Sequence, residues 1–170
     1  MPQQAPRFPT IDGFEFAAAG DSVRGAWRAG EFSRLRELLH DDAGTVEYEL
    51  RGRRDTLGRH WLELSVSARL RLTCRRCLEA LEVPLHERVT LWLAGSQAEL
   101  DAQPVSAEGP DGVVASREMA VKDLVEDQLL LAMPYAPRHE QCAARGSAAE
   151  DEGQKPFAGL RGLLRGKVRH

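Results

Sequence analysis

The chain has 170 residues, 42% of them hydrophobic and 29% charged, which is the composition of a globular domain with a core and excludes a disordered or membrane-embedded chain. Its formal net charge is -3, so no overall basic excess draws it to nucleic acid; DNA is not an expected partner, and any RNA contact has to come from local basic patches. The stretch Met1 to Pro9 lacks the apolar run of a secretory signal, and no segment nears the roughly 20 apolar residues that cross a bilayer, so a soluble, cytoplasmic protein without a membrane partner is expected.

Residues 1–20, with Pro2, Pro6 and Pro9, are predicted to be irregular. Residues 21–42 are predicted to be partly helical. Ser33 suits an N-cap, Phe32, Leu35, Leu38 and Leu39 give a helical apolar stripe, and Asp41-Asp-Ala-Gly44 ends it. Val46 to Leu50 alternates as a strand does, and 51–59, with Gly52 and Gly58, reads as a polar turn region. The clearest pattern follows. Leu62, Leu64, Val66, Ala68, Leu70 and Leu72 alternate with polar residues, which predicts a long strand with one buried and one wet face, in the antiparallel setting usual for such strands. A second alternating run holds Leu81, Val83, Leu85, Val89, Leu91 and Leu93. The two runs form a hairpin with Cys74-Arg-Arg-Cys77 at its tip.

Residues 94–112 are acidic and rich in turn formers, as in a mobile loop, and Val113-Val-Ala115 suits a short strand. Residues 117–132 are predicted to be helical, with Val121, Leu124, Val125 and Leu129 on one face and the ladder Glu118, Lys122, Glu126 on another. Pro134 and Pro137 stop this helix. Residues 143–154 are small and acidic. Lys155 to His170 carries Lys155, Arg161, Arg165, Lys167 and Arg169 with no acidic residue, and Phe157, Leu160, Leu163 and Leu164 allow a short amphipathic turn. The expected organisation is one α+β domain over 1–154. It is a mainly antiparallel sheet around 45–93 packed by a few helices, near 33–39 and 117–132, and followed by a flexible basic C-terminal tail over 155–170.

Four groups of residues bear on function. Cys74 and Cys77, with His139 and Cys142, are two chelating pairs able to offer four ligands to one tetrahedral Zn2+. Free surface thiols beside an unrelated His and Cys are the bland alternative. Thiol redox work fits poorly, because it requires a C-x-x-C opening a helix after a strand, and here the flanks are alternating strands. An odd cysteine count in a reducing compartment argues against a disulfide framework. The second group is Arg51, Arg53, Arg54, Arg59, Arg69, Arg71, Arg75 and Arg76, opposed within 51–76 only by Asp55 and Glu63. Clustered guanidiniums suit phosphate, and Arg69, Arg71, Arg75 and Arg76 are the RNA-contact candidates, against a merely solvated sheet face. The third group is the basic tail, with Arg161, Arg165, Lys167 and Arg169 as further RNA candidates. The fourth is Asp123, Glu126 and Asp127, which read as a solvated or partner-facing helix edge rather than acid–base machinery. There is no nucleophile motif, phosphate loop or H-E-x-x-H, so no catalytic residue is assigned and no enzyme is expected.

Three of these segments together resemble one family. They are Leu-Arg-Leu-Thr-Cys-Arg-Arg-Cys-Leu-Glu at 70–79, Val-Lys-Asp-Leu-Val-Glu-Asp-Gln-Leu-Leu-Leu-Ala-Met-Pro at 121–134, and Pro137-Arg-His139. With Phe32-Ser-Arg-Leu before them and Lys155-Pro-Phe-Ala-Gly-Leu after, they resemble the YceD family of large ribosomal RNA subunit accumulation proteins from about Phe14 to the tail. The resemblance implies a non-catalytic part in synthesis, processing or stability of 23S ribosomal RNA. The implied partners are 23S RNA or its precursor, or a large-subunit assembly or processing protein. It supplies no established binding site. The rival readings are a zinc-stapled protein-interaction module without RNA contact and, further off, an RNA-processing or thiol redox enzyme.

Overall fold

The computed structural model describes residues 8–103 and 110–142. In chain order the elements are β1 (Thr10–Ile11), α1 (Gly13–Ala19), β2 (Ser22–Arg28), α2 (Ser33–Arg36), β3 (Leu39–Arg54), β4 (His60–Thr73), β5 (Ala80–Ala94), α3 (Gln97–Asp101), β6 (Asp111–Val114), β7 (Met119–Ala120) and α4 (Val121–Ala132). The fold is α+β. A five-stranded sheet of order β2-β3-β4-β5-β6 is antiparallel except for the β5–β6 pair, and β1 and β7 form a separate antiparallel pair.

The long alternating run governs the architecture. Leu62, Leu64, Val66, Ala68, Leu70 and Leu72 of β4 are all buried and join one core with Phe16 and Ala17 of α1, Leu35 of α2, and Val121, Val125 and Leu129 of α4. Each buried leucine contributes ~1.5–3 kcal/mol. Helices α1, α2 and α4 therefore cover one face of the sheet, and the odd-numbered residues of β4 from Glu63 to Thr73 line the other, open face. Gly52 allows α1 to lie against β3, because a Cβ there would run into the Phe16 carbonyl. Gly44, at φ 126, sits where β3 slips register against β4, and its missing Cβ clears the Arg69 carbonyl.

Several segments differ from the sequence expectation. Residues 13–19 are helical rather than irregular, because Asp12 accepts from the N–H groups of Phe14 and Glu15 (both 3.1 Å) and Gly20 closes the helix in the left-handed region at φ 68. Residues 22–28, within the stretch expected to be only partly helical, form a strand. Their Val23, Gly25 and Trp27 pair in register with Leu50, Tyr48 and Val46, and Trp27 stacks on Tyr48 at 4.2 Å. The helix near 33–39 stops at Arg36, since β3 already begins at Leu39. Arg51–Arg54 stay in β3, so the turn is only 55–59. Within 94–112, Ser96 caps the short α3 by accepting from Glu99 N–H at 3.2 Å, and Asp111 opens β6; residues 104–109 lie outside the described residues.

Candidate functional site

The tip of the β4–β5 hairpin is shaped by its backbone. Cys74 N–H donates to the Glu79 carbonyl at 2.9 Å and Leu78 N–H to the Cys74 carbonyl at 3.0 Å. Leu78 takes φ 63, a conformation costing a leucine roughly 1–2 kcal/mol, to complete this wrap. Arg75 N–H donates to the Pro137 carbonyl at 2.9 Å, which ties the segment after α4 to the tip and delivers His139 and Cys142.

The ligand atoms of Cys74, Cys77, His139 and Cys142 all lie within 4.8 Å of one another. The Cys74 and Cys142 sulfurs are 3.7 Å apart, with no disulfide between them. Cys77 Sγ is 3.4 Å from His139 Nδ1. A tetrahedron with sulfur ~2.3 Å and nitrogen ~2.0 Å from the metal has edges of about 3.8 and 3.5 Å, and the Cys74–Cys142 and Cys77–His139 pairs stand near those spacings. The histidine tautomer agrees. Its Nε2 is 3.1 Å from the Ala80 carbonyl, which can only accept, so Nε2 carries the proton and Nδ1 keeps its lone pair toward the sulfurs.

The thiol acidities divide in a revealing way. The Cys77 N–H, followed by those of Arg76 and His139, holds the Cys74 thiol down to about 5 despite the opposing effect of burial. Burial, followed by the neighbouring Cys77 and Cys74 sulfurs, pushes Cys142 up to about 11. The chain alone thus supports a thiolate at Cys74 and opposes another beside it, and a shared divalent cation removes that conflict.

The arginine candidates separate into two kinds. Arg71 pairs with Asp41 at 2.7 Å, Arg51 with Glu49 at 2.8 Å and Arg53 with Glu63 at 2.9 Å. Exposed Arg69 makes no ion pair among the described residues, nor do Arg75 and Arg76 on the hairpin tip. Arg161, Arg165, Lys167 and Arg169 lie outside the described residues. Glu126, expected on a solvated helix edge, is instead buried. It accepts from Arg34 N–H at 2.7 Å and Leu35 N–H at 3.0 Å, locking α4 onto the start of α2.

The sheet brings cations to the open face that the sequence reading did not single out. Arg24 and Arg28 come from β2 and Arg88 from β5, the last donating to Ser65 Oγ at 3.3 Å. The alternation of Ser22, Arg24, Ala26 and Arg28 with Val23, Gly25 and Trp27 was the available signal. Shallow depressions on this face are lined by polar groups such as Arg69, Glu82 and His86.

Comparison with known sequences follows the same residues. The model of the YceD family, described as large ribosomal RNA subunit accumulation protein, matches residues 62–164, well over half of the 170-residue chain. The chain belongs to the YceD family. The YceD match takes in β4, the cysteine tip, β5, α4 and all four clustered ligands. No curated protein and no solved structure matches the chain. Among the described residues no helix is long and apolar enough to cross a membrane.

Proposed function

We propose that this protein supports the accumulation of 23S ribosomal RNA as a non-catalytic ribosome-biogenesis factor, acting on synthesis, processing or stability of the large-subunit RNA in the cytoplasm. The YceD match over residues 62–164 carries this reading. Cys74, Cys77, His139 and Cys142 hold Zn2+ as a structural ligand set, with no open position for substrate. The ion closes the hairpin tip onto the segment after α4 and fixes the direction in which the chain leaves the domain.

Arg69, Arg75 and Arg76 extend from the open sheet face to this tip without carboxylate partners among the described residues, and they are the groups that meet RNA phosphate. Arg71 joins them once phosphate competes with Asp41, and Arg161, Arg165, Lys167 and Arg169 add charge from the tail. The carboxylates already paired on the sheet face favour a second reading, in which the tip and sheet meet an assembly protein and not RNA.

The ratio of 23S to 16S RNA in a strain lacking the protein tests the role. A selective fall in 23S, restored by the wild-type chain, is expected; an unchanged ratio overturns it. Retention on large-subunit precursor particles separates the two readings. Loss with rising salt supports phosphate contact, and salt-insensitive retention supports a protein partner.

A further inference from the structure

A groove of about 520 Å³ lies beside the metal cluster, between the α2–β3 junction and the segment that follows α4. Leu38, Leu39, Leu130, Met133 and Tyr135 line it, with Glu37 and Arg75 among its charged members. Leu38 is 46% and Tyr135 100% exposed. Four of the six exposed large hydrophobic side chains of the described residues, Leu38, Leu78, Leu131 and Tyr135, belong to segments that meet at this end of the molecule. Apolar surface gathered in this way marks a docking site more than random scatter does.

We propose that this groove docks the chain's own Phe157–Leu164 segment, independently of any role in RNA accumulation. The root of that segment is already in place. Cys142 touches Cys74, and the next residue, Arg75, both lines the groove and bonds to Pro137. A random coil as long as the stretch from Cys142 to Phe157 would span about 21 Å, enough to cross the groove. Such a tether gives an effective concentration on the order of millimolar, so even weak apolar contacts keep the site filled.

The segment suits the groove chemically. Phe157, Leu160 and Leu164 recur at the i, i+3, i+7 spacing of one helical face, and Pro156 stands where a helix accepts proline at its start. Gly159 and Gly162 make an isolated helix unfavourable there, so helix forms with docking and not before it. Arg161 and Arg165 carry charge opposite to Glu37, which makes no ion pair among the described residues. The YceD match runs on to Leu164, so the family model takes in the α4 wall of the groove and this segment together.

Amide hydrogen exchange on the full chain tests the proposal. In the wild type, amides of 157–164 are expected to exchange at least about tenfold more slowly than those of 145–153. Leu160→Asp in the segment and Leu38→Asp in the groove should each abolish that protection. Unchanged protection of β4 in both variants shows that the fold is intact, and Leu38 is exposed enough to be replaced. Three results overturn the proposal. Amides of 157–164 exchange at free-chain rates in the wild type; their protection survives Leu38→Asp; or it disappears on dilution, which assigns the groove to a second copy.

Discussion

The two ends of strand β4 are closed by different chemistry. At the Trp61 end, Asp55 accepts from Leu57 N–H and Arg59 N–H at 2.9 Å, from Arg59 Nε at 2.8 Å and from Trp61 Nε1 at 3.1 Å. The guanidiniums of Arg53 and Arg59 lie over the Trp61 ring, 5.4 and 5.3 Å from its centre. Every acceptor site of that carboxylate is supplied by the chain. At the Cys74 end, three sulfurs and an imidazole lone pair converge within 4.8 Å, and the one ring N–H points away to Ala80. Donors matched to acceptors make an end that the polypeptide completes alone. Converging lone pairs make one that a cation can complete.

The largest expected effect removes what the two ends share. Val66 is 2% exposed at the middle of β4. Val66→Asp forfeits ~1.5–3 kcal/mol of burial and adds several kcal/mol for an unpaired buried charge. Set against a typical domain stability of roughly 5–15 kcal/mol, this should abolish the cooperative thermal transition followed by circular dichroism.

Next is the Cys74 end. Cys74→Ser should release the ion and free the segment after α4. Because the ion binds the folded ligand set and not the unfolded chain, losing it should lower the denaturant midpoint relative to wild type, with the gap widening as free zinc is raised. Exchange protection should vanish at 135–142 and persist in the centre of β4, because the core beneath Leu64 and Val66 does not involve the tip.

The Trp61 end gives a smaller effect with a pH signature. Burial pushes the Asp55 carboxyl up, but the Arg59 backbone and side-chain N–H groups, with Trp61 and Leu57, prevail and hold it down to about 2 from 3.8. A carboxylate with a depressed folded-state pKa stabilises the protein fully above its unfolded value, and that stabilisation is lost as pH falls through 3.8 toward 2. Asp55→Asn should melt earlier than wild type at neutral pH, lose less on acidification across that window, and keep its metal content. Thermal melts from pH 7 down to about 2 measure this.

The smallest effect on stability belongs to the open face. Arg69→Glu with Arg75→Glu should leave the melting temperature within the experimental scatter, since neither side chain has an ion-pair partner among the described residues. The salt dependence of retention on precursor particles should flatten by roughly 0.7–0.9 in log–log slope for each phosphate that is no longer neutralised.

The difference between the ends also explains what was legible in the sequence. The β4–β5 hairpin with cysteines at its tip was readable because period-two alternation from Leu62 to Leu72 has a single structural solution. The two pairs could be singled out as candidate ligands because two-residue spacing is local, although only the fold reveals that Arg75 bonding to Pro137 brings them together. Strand β2 was hidden because Gly25 and Ala26 leave Val23 and Trp27 as the large apolar residues of its alternation, too faint a signal alone, and its pairing with Tyr48 and Glu47 is set by partners more than twenty residues away. Glu126 looked like a surface charge because nothing local announces that the N–H groups of Arg34 and Leu35 lack acceptors of their own. Ion pairing across the sheet, such as Arg71 with Asp41, depends on strand register and so cannot be read from the run of arginines between residues 51 and 76.

Metal analysis of untagged protein purified without chelator tests the ion-closed tip most directly. About one zinc per chain, lost together with part of the thermal stability when a chelator is added, is the expected result. A metal-free chain that melts at the same temperature with and without added zinc would contradict it.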